Sequence, residues 1–290
     1  MEMKTNIVKK KETIVLKKSS ALIIMLCICV LGLTAFDGQK SKIEIAKDVS
    51  DKYGNSVVYI IGTIKLSITG TGQAIPPQEQ KTEVIGTILD ESGLIVTSYI
   101  QIEPQITMTA RGQEVTIKSE ISDIKIIFHD GTELPGKLVM KDPDIDLAFI
   151  KIEKEEGVKI PDFTPLKYEA SEADILDEVI LLERLGKKLK RKLTVDLSRI
   201  KASIKKPRTL YVLNKENASM GAPVFTINGK FLGLCLNKEG KLEANNMMGG
   251  FDLNKMATKI ILPAEEIFET VKQVKDKKEE AKEEKPTETE

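Results

Sequence analysis

The chain has 290 residues, 41% of them hydrophobic, enough for a substantial core in one large domain or two smaller ones. Its 44 basic and 44 acidic side chains cancel, so no global field draws it to nucleic acid or to an acidic partner, and it has no tryptophan to interleave with basic patches. Three cysteines and one histidine leave no Cys/His metal cluster, and neither a phosphate-cradling glycine loop nor a cofactor fingerprint is present.

Residues 1–20 carry six lysines against Glu2 and Glu12, a net of +4, and precede sixteen apolar or small residues, Ala21–Phe36. Basic then apolar is the order of a targeting segment. As a helix the apolar run spans about 24 Å against a bilayer core of about 30 Å, which leaves signal peptide and anchor both open. Leu33-Thr34-Ala35 offers only one of the two small residues a cleavage site wants, and neither Cys27 nor Cys29 follows the small residue of a lipoprotein signal. These features favour an uncleaved single-pass anchor at 21–36, with residues 1–20 cytoplasmic and the remainder on the periplasmic or extracytoplasmic side. Cys235 is then the lone exported cysteine, so no intrachain disulfide staples that part; it reads as a buried strand residue.

From 57 to 262 short runs rich in Val, Ile, Leu and Thr follow one another: 57–61, 83–89, 94–100, 124–128, 147–152, 177–182, 209–213, 223–227 and 230–236. Each is bounded by Gly, Asp, Asn or Pro, the pattern of strands in an all-β barrel or sandwich. Asp130-Gly131 and Asn228-Gly229 predict two-residue hairpin turns with positive φ at both positions. Residues 66–82, rich in Gly, Pro and Gln, predict a long mobile loop. A C-terminal helix is expected over 263–278, with Pro263 in its first turn and lysines at its far end. The end of the chain, 276–290, reads as a charged disordered tail.

Three blocks, 82–100 (TEVIGTILDESGLIVTSYI), 141–152 (KDPDIDLAFIKI) and 217–237 (NASMGAPVFTINGKFLGLCLN), resemble the signature blocks of trypsin-like serine proteases, in particular the HtrA (Do-like) branch. FHDGTELPGKLVMKDPDIDLAFIKI (128–152), TVDLSRI (194–200) and IILPAEEI (260–267) extend the likeness. The resemblance implies an all-β fold of two six-stranded antiparallel barrels, about 54–160 and 170–262, inside one domain at 43–275 with a C-terminal helix. It leaves no residues for the PDZ domain that many of the branch carry. Trimers are common in that branch, so a homo-oligomer is among the arrangements implied.

In that family a histidine, an aspartate and a serine act together: the imidazole takes the serine proton and the carboxylate orients the imidazole. Carried onto this chain, the three positions are Ile100, Asp146 and Met220. Asp146 stands in the family's Asp-Leu-Ala, and it has a structural use as an acceptor between the barrels that requires no catalysis. Ile100 and its neighbours Tyr99 and Gln101 offer no general base. Ser219, beside Met220, is the alternative nucleophile if a one-residue bulge brings it forward. Ala218 and Ala222 stand where the family has glycine, and each Cβ disfavours a positive-φ anion-hole loop. Lys215 is the remaining candidate base, for a Ser-Lys pair with Ser219. The one histidine, His129, falls at a hairpin tip and reads as a solvated turn residue.

The resemblance therefore implies a serine-protease homologue that has lost its triad and binds polypeptide or a protease partner, with no cofactor, no metal and no nucleic acid. Two other readings stay open: an active endopeptidase using Ser219, and a structural module of an envelope assembly. Residues 184–192 (RLGKKLKRK) hold six basic positions and form a candidate contact surface for an anionic partner or lipid.

Overall fold

The computed structural model describes residues 40–72, 75–110, 113–154, 156–239 and 257–283. The expected basic segment and anchor at 1–36 lie outside them, as do 284–290. Among the described residues no helix is long and apolar enough to cross a membrane.

Helix α1 (Lys42–Tyr53) and a 3-10 turn (Gly54–Ser56) lead into β1 (Val57–Thr69), β2 (Gln78–Ile88) and β3 (Leu94–Ser98). A one-turn helix α2 (Tyr99–Ile102) follows, then β4 (Ile106–Ala110), β5 (Gln113–Ile127), β6 (Glu133–Asp142) and β7 (Leu147–Ile152). These strands pair in the order β1-β2-β3-β7-β6-β5-β4, and a β1–β5 ladder closes six of them into a barrel with β4 appended to β5. The second barrel contains β8 (Glu178–Arg184), β9 (Leu193–Ile204), β10 (Leu210–Leu213), β11 (Pro223–Thr226), β12 (Phe231–Glu239) and β13 (Ala257–Pro263). It closes in the order β10-β13-β12-β11-β8-β9, and α3 (Ala264–Glu283) follows. Both barrels are antiparallel throughout.

Continuous apolar runs, not alternating ones, mark these strands because both faces are covered. Val58, Ile60, Ile95, Ala148 and Ile150 fill the first barrel, while their neighbours Val57, Tyr59, Leu94, Val96, Leu147 and Phe149 join the cluster that includes the second barrel's core. Helix α1 adds Ala46, Val49 and Tyr53 to that second cluster, and Tyr53 stacks on Phe225 at 5.1 Å.

Several expectations need correction. The 66–82 loop shrinks to 70–77, because β1 continues to Thr69 and β2 starts at Gln78. Ile68 and Thr69 pair with Ile117 and Thr116 of β5, and a ladder of backbone bonds needs no apolar pattern to form. Neither Gly turn has two positive-φ residues: Gly131 (φ 91) and Gly229 (φ 78) are left-handed, while Asp130 and Asn228 are not. Gly131 N–H donates to Phe128 O and Phe128 N–H to Thr132 O, with the matching pair at Thr226, Gly229 and Lys230, so both hairpins place one left-handed glycine at the end of the turn. Asp130 accepts the backbone N–H (2.9 Å) and hydroxyl (3.0 Å) of Thr132, and the first of these holds its carboxyl below the ordinary value. His129 is exposed in that turn. Pro263 ends β13 instead of starting the helix, and α3 extends to Glu283, into the stretch expected to be a solvated tail. Its Glu, Lys and Ala content favours helix.

The basic stretch 184–192 is not uniformly solvated. Arg184 is buried, with its guanidinium on three backbone carbonyls, and Arg191 pairs with Glu83 at 2.7 Å. Lys187, Lys188, Lys190 and Lys192 remain exposed.

Candidate functional site

Asp146 sits in the turn between β6 and β7 with a left-handed backbone (φ 58). Its carboxylate accepts the Ser98 hydroxyl at 2.8 and 3.0 Å and the Ile100 backbone N–H at 2.8 Å, while its carbonyl accepts Tyr99 N–H at 3.2 Å. An anion at the first turn of α2 satisfies amides that a helix start leaves unpaired. The Ser98 hydroxyl also lies 3.8 Å from Met220 Sδ. Ile100, Asp146 and Met220 are thus drawn to one place, linked through Ser98, a residue the sequence comparison passed over. Ser98 follows Thr97 in the block that aligns with the family's Thr-Asn-x-His, which is the signal that could have found it.

A serine hydroxyl on a carboxylate keeps its proton, because the two pKa values lie far apart in favour of the hydroxyl. With no imidazole among its members, this cluster acts as a structural staple.

The segment bearing Ser219 and Met220 is strapped to the first barrel by Thr87, whose hydroxyl donates to Gly221 O at 2.8 Å; within that barrel the Thr97 hydroxyl donates to Ile85 O at 2.7 Å. Gly221 has φ 84, and a Cβ there would lie 2.1 Å from Ile85 O, so glycine is required on both counts. Within 218–222 it alone has positive φ; Ala218 and Ala222 are buried outside the left-handed region, so their Cβ atoms meet no such conflict.

Ser219 is half-buried, and its backbone N–H donates to Glu183, whose carboxylate also accepts Lys215. Lys215 in turn donates to Asp196 at 2.7 Å. Burial pulls the Lys215 pKa down, but its bonds to Asp196 and Glu183 outweigh that and leave it raised. A lysine so held is protonated at neutral pH and is no base for Ser219.

Lys259 is the opposite case. On β13 it pairs across the ladder with Asn237 of β12, is only 5% exposed, and burial pushes its pKa down. Among the described residues it has no hydrogen-bond acceptor or salt-bridge partner. Lys259→Met, which keeps an unbranched shape without the charge, is expected to stabilise the fold by about 1 to 3 kcal/mol at neutral pH. With a depressed folded pKa, the native state binds fewer protons and wild-type stability rises with pH. The gain in urea melts should shrink above neutrality and vanish past the ordinary lysine value of about 10.4.

Between α2, the 143–146 turn and the second barrel lies a cleft of about 270 Å³ lined by Tyr99, Ile100, Ile145, Leu210 and Ile260, among others. Ile100 gives part of its wall a hydrocarbon surface.

The fold has solved counterparts. One is "HtrA-type protease AlgW with decapeptide", 14% identical, covering 80% of this chain and 67% of its own at a TM-score of 0.51. Another is an inactive serine-to-alanine mutant form of Rv3671c from M. tuberculosis H37Rv, 15% identical, covering 82% of this chain and 96% of its own at a TM-score of 0.49. At 14% identity the likeness to the first is one of fold. A trypsin-like peptidase domain model matches residues 85–234, slightly more than half of the sequence, from β2 into β12, and on that match the chain belongs to the trypsin-like peptidase domain family.

Proposed function

We propose that this protein is a catalytically inactive, membrane-anchored HtrA-type homologue that holds extended polypeptide, or an active protease partner, in the cleft between its barrels. The observation that carries the reading is the Ser98–Asp146–Ile100–Met220 cluster; on the motif alignment, its hydrocarbon and thioether stand at two of the three catalytic positions. Losing triad members costs on the order of 10⁴ to 10⁶ in rate. Peptide capture survives that loss, because a strand added along the cleft uses backbone hydrogen bonds and apolar pockets. The decapeptide named with AlgW is consistent with this use of the fold. Residues 21–36 serve as the anchor in this reading, with the domain at 43–275 on the extracytoplasmic side.

An active enzyme built on Ser219 is the rival. A fluorophosphonate probe is expected to leave the full-length protein unlabelled above a heat-denatured control, with casein hydrolysis at background. Labelling abolished by Ser219→Ala would establish the rival and end the inactive reading.

A further inference from the structure

Two polar side chains of the second barrel, one of them carrying a buried unmet oxygen, share one cross-strand pair. Asn237 and Lys259 face each other in the β12–β13 ladder, so their side chains project from the same face of the sheet. They are 8% and 5% exposed, respectively. The Asn237 Oδ1 is buried with no hydrogen-bond partner. Lys259 brings three donors, and among the described residues nothing accepts them. Among the described residues, the carboxylate whose charge registers at Lys259 is Glu183, already committed to Lys215 and the Ser219 amide. A side chain this largely buried, with its ammonium unpaired among the described residues, is open to a counter-ion.

The pair lies beside the candidate site. Gly221 N–H donates to Cys235 O at 2.8 Å, and Cys235 N–H donates to Ala222 O at 2.9 Å. Two residues further along β12 is Asn237, and two residues back from Gly221 is Ser219, so the pair stands level with the Ser219–Met220 segment.

We propose that Asn237 and Lys259 form a recess that takes an acidic residue of the bound polypeptide. Lys259 pairs with the carboxylate, and Asn237 Oδ1 accepts an N–H of the bound chain. One acidic residue in an extended peptide supplies both groups, which a neutral side chain does not. The inference rests on the peptide-holding reading and narrows it to acidic sequences.

The test is fluorescence polarisation on the full-length protein in detergent micelles. The probes are end-blocked decapeptides of alternating Val and Thr, carrying a neutral fluorophore and a single central Glu, Gln or Lys. Glu is expected to bind at least about tenfold tighter than Gln, the worth of a hydrogen bond to a charged group, with Lys weakest. Lys259→Met, whose folding the circular dichroism spectrum checks, should bring Glu down to the Gln affinity and leave Gln within about twofold. Asn237→Ser should weaken all three. Equal binding of Glu and Gln by the wild type, or a Glu preference that survives Lys259→Met, overturns the recess while leaving peptide capture standing. No binding of any probe overturns both readings.

Discussion

Replacing Arg184 with alanine is expected to remove about 3 to 5 kcal/mol of unfolding free energy, read as a lower urea midpoint at unchanged slope. The side chain begins on β8, in the second barrel, and ends on carbonyls that open the first. Its Nε donates to Val57 O at 2.6 Å, Nη2 to Gly54 O at 2.7 Å and Nη1 to Arg191 O at 3.1 Å. Burial lowers its pKa, yet guanidinium stays charged at any pH a protein survives, so the three carbonyls always meet a cation. The Tyr59 hydroxyl returns the link, donating to Arg184 O at 2.8 Å with Leu185 O at 2.9 Å. Arg184→Lys keeps the charge but not the planar fork that reaches three acceptors, and it should restore only part of the loss.

Glu183→Ala is expected to cost a similar amount, about 3 to 5 kcal/mol, because it removes one member of a buried ion pair and strands the rest. The carboxylate is 8% exposed and serves both Lys215 and the Ser219 amide. Without it Lys215 keeps only Asp196, whose side chain is 45% exposed, and the Ser219 N–H loses its acceptor. Glu183→Gln retains an oxygen for that amide and should cost about 1 to 3 kcal/mol. The pH window of the cluster follows from its neighbours. The hydrogen bond from Lys215 lowers the Asp196 pKa, so that contribution is present above the ordinary aspartate value near 3.9 and is lost as pH falls through the depressed folded value. The raised Lys215 pKa gives a contribution present in full below about 10.4 and lost as pH rises through the folded value. Urea melts should show the cluster intact between these limits and weakening outside them.

The strands of both barrels were legible because residues such as Leu94–Val96 and Leu147–Ile150 are buried on both faces and read as unbroken apolar runs. The arms on either side of residues 70–77 were not, since Gln78–Lys81 are exposed, Leu66–Ile68 are only half-buried, and both arms are held by backbone pairing, which carries no side-chain signature. Helix α1 escaped notice because only Ala46, Val49 and Tyr53 of its twelve residues are buried. At the candidate site the alignment of short motifs pointed to Ile100, Asp146 and Met220, and geometry brings them together through Ser98. Lys259 and Arg184 look in sequence like ordinary surface cations. Only the β12–β13 register and the return of β8 toward Gly54 reveal that both are buried.

Asp146 staples a helix start and a serine hydroxyl, and those bonds are worth keeping whether or not a chain cuts anything. That carboxylate is therefore a poor beacon for hydrolysis: a survey keyed to it alone would gather scissors and clasps together, and only the groups facing it tell the two apart.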